Sequence, residues 1–196
     1  MADVHDVAAA LLAATGPESP MKLQKLLYYS QAWHLAGRGT ALFDAPIEAW
    51  RRGPVVPEVY RRHVGLTEVH SWDEGDPSGL SAAEREVVES VVERYGGFSR
   101  HELSEMAHEE EPWRSARGGL PDSEPSSAPI PHETMRRYFR RLTSDPETAV
   151  AEARASVGLE GLDVSTEALE AARAVVRGAV GADEAVARRI EALLRS

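Results

Sequence analysis

The chain has 196 residues, 32 of them acidic and 22 basic, giving a net charge of −10 at pH 7, and it contains no cysteine. That excludes a disulfide scaffold, a thiolate zinc site and a cysteine nucleophile. Hydrophobic residues make up 42%, enough for a real core, while the acidic balance disfavours a general phosphate binder and suits a partner that presents basic residues.

The N-terminus, MADVHDVAAALLAATGP, has no basic leader region and is too short to span a bilayer. A cytoplasmic protein without membrane association is the expectation. Val4, Val7, Ala8, Leu11 and Leu12 follow helical spacing, with Asp3 as cap and Gly16-Pro17 as stop. Ser19-Pro20 opens a second helix running to Gly37, apolar on a broad front and central to the core.

Residues 47–51 (IEAWR) alternate as a short strand, and Gly53-Pro54 reads as a turn. Pro57 starts a short helix bearing Val59, Tyr60 and Val64, and 66–79 read as a loop or short hairpin. Ser81 with Glu84, and Ser99 with Glu102, are capping-box pairs. The first opens a helix with Val87, Val88, Val91, Val92 and Tyr95 on one face. The second opens a helix with Leu103, Met106 and Ala107, which must end before Pro112. The run 118–131, with two glycines and four prolines, can be neither helix nor central strand. A last helix over 132–142 turns Met135, Tyr138, Phe139 and Leu142 inward and Arg136, Arg137, Arg140 and Arg141 outward.

At Ser144 the composition changes: 144–196 has no aromatic residue and is rich in Ala, Glu, Arg and Val. Three short helices are expected, on stripes that include Val150 and Val157, then Leu169 and Val176, then Val186, Ile190 and Leu194. So small a segment needs the first domain or a partner to pack on.

Catalytic motifs are missing from the sequence. HELSEMAH (101–108) fails the zincin pattern, because Glu105 stands where the second histidine is required. The run from His108 to Glu111 could offer oxygen ligands but reads more simply as a solvated helix end. No metal, no cofactor and no enzymatic activity is expected. The arginines of MRRYFRRL (135–142) could touch nucleic acid, as in a DNA-binding autorepressor, but their periodicity makes them the solvated back of a core stripe. Trp50, Tyr60 and Trp113 are amphipathic and fit either core or interface.

Three stretches in order, MKLQKLLYYSQAWHLA (21–36), IEAWRRGPVVPEVYRRH (47–63) and LSEMAHEEEPWRSAR (103–117), resemble the Panacea antitoxin domain, also called SocA-like or GepA-like, over residues 5–142. The resemblance rests on Leu23, Lys25, Leu26, Leu27 and Tyr28, on Trp50, Gly53, Pro54, Val55 and Tyr60, and on His108, Glu111, Pro112 and Trp113. Ala107 departs from the pattern, where threonine is expected. The resemblance implies a compact, mainly helical domain over 1–142 with a minor β element. It implies an antitoxin that neutralises its toxin by direct contact, or as an adaptor to an AAA+ protease.

The tail resembles the VbhA-type antitoxins of Fic toxins, with Ser156, Glu160 and Gly161 fitting the inhibitory pattern [S/T]-x-x-x-E-[G/N]. On spacing alone the stretch reads equally as an amphipathic tail. The resemblance implies a segment over 144–196 that binds a Fic-type adenylylating toxin by an apolar face including Val157, Leu159, Leu162 and Leu169. Its carboxylate would occupy the arginine that clamps the ATP γ-phosphate.

Overall fold

The computed structural model describes residues 1–121 and 123–143. The chain divides into two units, Met1–Arg140 and Arg141–Ser196, and the architecture below is that of the first. The expected helices of 144–196, with Ser156, Val157, Leu159, Glu160, Gly161, Leu162 and Leu169, lie outside the described residues.

The fold is mainly α with one small β element, as the composition and periodicities predict. Helix α1 (Val4–Thr15) is capped by Asp3, which accepts from His5 N at 2.8 Å, and it buries all five predicted core residues. Helix α2 (Pro20–Arg38) starts at the Ser19 cap and ends at Gly39 in the left-handed region. It is central, as expected, yet less apolar than its aliphatic run suggests. Gln24, Lys25, Ser30, Gln31 and His34 are buried beside Leu23, Leu26, Leu27, Tyr28 and Tyr29. Ser30 bonds back to Leu26 O in the same helix, and the other four satisfy the chain wrapped around it. Gln31 Oε1 accepts from Leu42 N and Phe43 N, and Gln24 Oε1 accepts from Val56 N at 2.7 Å.

Strands β1 (Glu48–Trp50) and β2 (Gly53–Val55) form an antiparallel hairpin, with Ala49 opposite Pro54 and Trp50 opposite Gly53. Gly53-Pro54 is therefore strand, and the turn is Arg51-Arg52. Neither arginine takes a positive φ, so Gly53 at φ 99° supplies the left-handed residue that closes it. Pro54 is tolerated because its missing N–H is not needed and its carbonyl is used by Lys25. Along the outer edge of β1, Ala49 N donates to Ala128 O and Ile130 N to Ile47 O. The proline-rich run thus covers an open strand edge.

Helix α3 (Pro57–His63) follows directly; Val59 is buried, but Val64 lies beyond its end and is exposed. Residues 66–79 form a loop with a single 3₁₀ turn at Pro77–Gly79, tied to the core by the bridge between Glu18 and Val69. Helices α4 (Ala82–Tyr95) and α5 (Arg100–Glu109) both open on the predicted capping boxes. The chain then starts a separate helix, α6 (Glu111–Arg117), with Pro112 in its first turn, where a proline needs no N–H partner. In helix α7 (His132–Thr143), Met135 and Phe139 are buried and Tyr138 half-buried. Leu142, expected inward, is exposed, because the stripe has run past the core by the last turn. Among the described residues, no helix is long and apolar enough to cross a membrane.

Candidate functional site

The residues singled out in the sequence fall into two groups around one feature, the β1–β2 hairpin. The first group is buried and grips its backbone. Lys25 Nζ donates to Pro54 O at 3.0 Å, Trp113 Nε1 to Trp50 O at 2.9 Å, and Arg117 Nη1 to Ala49 O at 3.2 Å. Ser104 Oγ donates to Arg52 O at 2.9 Å from α5. Donors on α2, α5 and α6 therefore take four backbone carbonyls of the hairpin, at Ala49, Trp50, Arg52 and Pro54.

The grip is itself supported. Trp113 is 1% exposed and lies between His108, stacked at 4.2 Å, and the Arg117 guanidinium, 4.7 Å from its ring centroid. Arg117 Nη2 also donates to Pro121 O and Glu124 O, so one side chain anchors both the hairpin and the following loop. Pro112 is buried at the start of α6, and Leu26 and Tyr28 are fully buried on α2. His101 is exposed, apart from the stacked His108. Among the described residues no cluster of His, Asp or Glu could hold a metal ion.

The second group is displayed. Trp50 and Tyr60 are half-buried and meet edge to face at 4.7 Å. Arg51 and Arg52 are exposed at the tip. Beside them lies a groove of about 440 Å³ between the hairpin, α2 and α3, walled by Trp50, Tyr60, Val55 and Met21 with Lys25 in its lining. A second, shallower depression, lined by Pro125, Ser126 and Ser127, lies on the other side of Trp50 and Arg51.

Lys25 is 1% exposed, and burial lowers its amine from 10.5 to about 7. It also fixes the residue at 53. A Cβ there would stand 2.6 Å from Lys25 Cε and 2.7 Å from Nζ, on a backbone already at positive φ. Gly53→Ala should cost about 1–3 kcal/mol in urea denaturation. A cost no larger than that of an exposed surface substitution would mean that Lys25 moves aside freely.

The solvated helix end expected at 108–111 is corrected at Glu110. Its side chain is buried where α5 hands over to α6, accepting from Tyr28 Oη at 2.7 Å and Tyr29 Oη at 3.2 Å. Burial raises its carboxyl from 4.5 to about 7, against the lowering effect of the two hydroxyls. Residue type alone does not reveal this partner. The signal was the adjacent pair Tyr28-Tyr29, two hydroxyls on the core helix that both need an acceptor.

Comparison with known proteins fits a chain built from two antitoxin-like parts. Residues 23–114 match the family model described as Antitoxin SocA-like, Panacea domain, and residues 147–192 match the model described as Antitoxin VbhA. The first match is narrower than the expected 5–142 and spans α2 to α6, the elements that build and grip the hairpin. Among curated proteins, Antitoxin SocA of Caulobacter vibrioides (strain NA1000 / CB15N) is 47% identical over 45 residues, 23% of this chain and 24% of that relative. The chain thus covers about a quarter of that relative's length. No solved structure matches it.

Proposed function

We propose that the protein is the antitoxin of a toxin–antitoxin module, and that residues 144–196 hold a Fic-type adenylylating toxin inactive. The observation that carries the reading is the succession of two matches to antitoxin families on one chain. The inhibitory element is Ser156-x-x-x-Glu160-Gly161, with Val157, Leu159, Leu162 and Leu169 as the apolar contact face. Ser156 and Glu160 are four apart, so a helix would carry them on one face. A carboxylate there can engage a guanidinium bidentately. ATP then loses the hold on its γ-phosphate, and in-line transfer loses its positioning. The protein contributes binding and no reaction of its own.

Co-expression with the product of the adjacent reading frame tests this. Glu160→Gly should leave complex formation nearly intact yet restore adenylylation and toxicity. Ser156→Ala should have the smaller effect, because it loses one neutral hydrogen bond of about 1 kcal/mol. A chain truncated at Leu142 that protects as well as the full chain would sink the inhibitory-helix reading.

That last outcome defines a second reading, favoured by the exposed Arg51-Arg52 tip beside the half-buried Trp50: the Panacea unit itself neutralises the toxin, directly or as an adaptor to an AAA+ protease. The autorepressor alternative has less support. Arg136 is paired with Glu133 and Arg137 with Glu111. A mobility-shift assay at physiological salt decides it.

A further inference from the structure

We propose that the groove beside the hairpin tip is a receptor for an acidic peptide segment of a partner protein. An apolar side chain of that segment enters between Trp50, Tyr60 and Val55, and a neighbouring carboxylate faces Arg51 and Arg52. The proposal rests on the antitoxin reading for the partner being a toxin, and it names the segment the first unit would recognise.

Charge complementarity carries it. The whole chain is acidic, with 32 acids against 22 bases, yet the groove lining holds the exposed Arg51 and Arg52, with the buried Lys25 amine beneath them, and neither Asp nor Glu. The Glu48 carboxylate nearby is outside the lining and accepts from Trp50 Nε1 at 2.6 Å. Such a local inversion of sign steers and selects an anionic partner. The two arginines also have capacity to spare. Arg51 and Arg52 have no ion pair and no side-chain hydrogen bond among the described residues. Lys25 uses one donor, on Pro54 O, and no carboxylate among the described residues pairs with it.

The walls supply the apolar half of the recognition. Val64 and Leu66, 58% and 53% exposed, continue the surface of Trp50 and Tyr60 along the rim. The floor is pre-organised, because the tip's carbonyls are held by Trp113 and Ser104 and little ordering remains to oppose binding. A nucleic acid fits less well. Trp50 and Tyr60 pack edge to face on each other, and two arginines in an acidic chain do not make a track for phosphates.

The test pans a phage-displayed library of random peptides against the full chain. The enriched peptides should pair Asp or Glu with Leu, Phe or Trp. A synthetic copy of the best of them should bind the double variant Arg51→Glu, Arg52→Glu at least about tenfold more weakly. Thermal melts should confirm that the double variant is folded. Enrichment of basic or neutral peptides, no enrichment, or an affinity untouched by charge reversal would overturn the proposal. So would tight binding of an oligonucleotide abolished by the same double variant, which would assign the groove to nucleic acid. Co-expression separates the two readings. Peptide binding without protection against the adjacent gene product leaves the groove standing and removes the antitoxin. Protection equal in wild type and double variant, without peptide binding, does the reverse.

Discussion

Replacing Trp113 by alanine is expected to cost about 3–5 kcal/mol of folding stability, a large part of what a domain of this size possesses. The indole is 1% exposed and fills the space between His108 and the Arg117 guanidinium. Its removal leaves a cavity that α5, α6 and the hairpin would each have to shift to close. It also removes the Nε1 donor to Trp50 O, and with it one of the hairpin's anchors. Trp113→Phe should keep most of the volume and lose chiefly that hydrogen bond, about 1 kcal/mol. Trp50→Ala should cost only about 1–2 kcal/mol, since that ring is half-buried and its packing is an edge contact with Tyr60. Urea unfolding of the three variants checks the order. Equal losses for Trp113→Ala and Trp50→Ala would show that the two rings carry the same share of the fold, and that the hairpin is not held in the way described.

The two tryptophans show how far the sequence could be read. Both fitted core or interface, and nothing within ten residues of either separates the options. The difference arises from which ring α6 brings against the hairpin backbone, a property of the folded assembly of α6 with β1–β2 and not of either segment. Helix caps were legible because their chemistry is local: Asp3, Ser19, Ser81 and Ser99 each bond a backbone N–H within three residues. Pro112 was read as a stop, although proline is also a preferred helix starter, and the short α6 was missed for that reason. Nothing in the neighbouring sequence marks Lys25 and Arg117 as buried cations. Their burial follows from contacts 29 and 68 residues away in sequence, which periodicity cannot report. The groove was illegible for the same reason: it joins α2 to a hairpin and a helix that follow it by some thirty residues.

Glu110 should make the protein less stable as pH rises from about 4.5 to about 7. In the unfolded chain its carboxyl ionises near 4.5, whereas burial keeps it protonated in the fold up to about 7. Between those values the unfolded state releases a proton that the folded state retains, so stability falls with rising pH and levels off above 7. The gap corresponds to about 3 kcal/mol. Other groups tilt the raw profile. Burial lowers the pKa of His63, which adds stability as pH rises on the acid side of neutrality, and the lowered Lys25 amine adds it between about 7 and 10.5. Glu84, which burial would raise but which the Ser81 hydroxyl and backbone and the N-terminal amine together hold down to about 2, acts only at more acid pH. The informative quantity is therefore the difference between wild type and Glu110→Gln. The amide oxygen can still accept from Tyr28, and the side chain never ionises. The variant should be no more stable than wild type at pH 4.5 and more stable at pH 8, with the crossing inside the predicted window. Glu110→Ala should be less stable than both at every pH, because two buried hydroxyls lose their acceptor at about 1–3 kcal/mol each. Parallel profiles for wild type and Glu110→Gln across pH 4.5–8 would mean that the carboxylate is ionised in the fold throughout, and that the tyrosine pair solvates a charge.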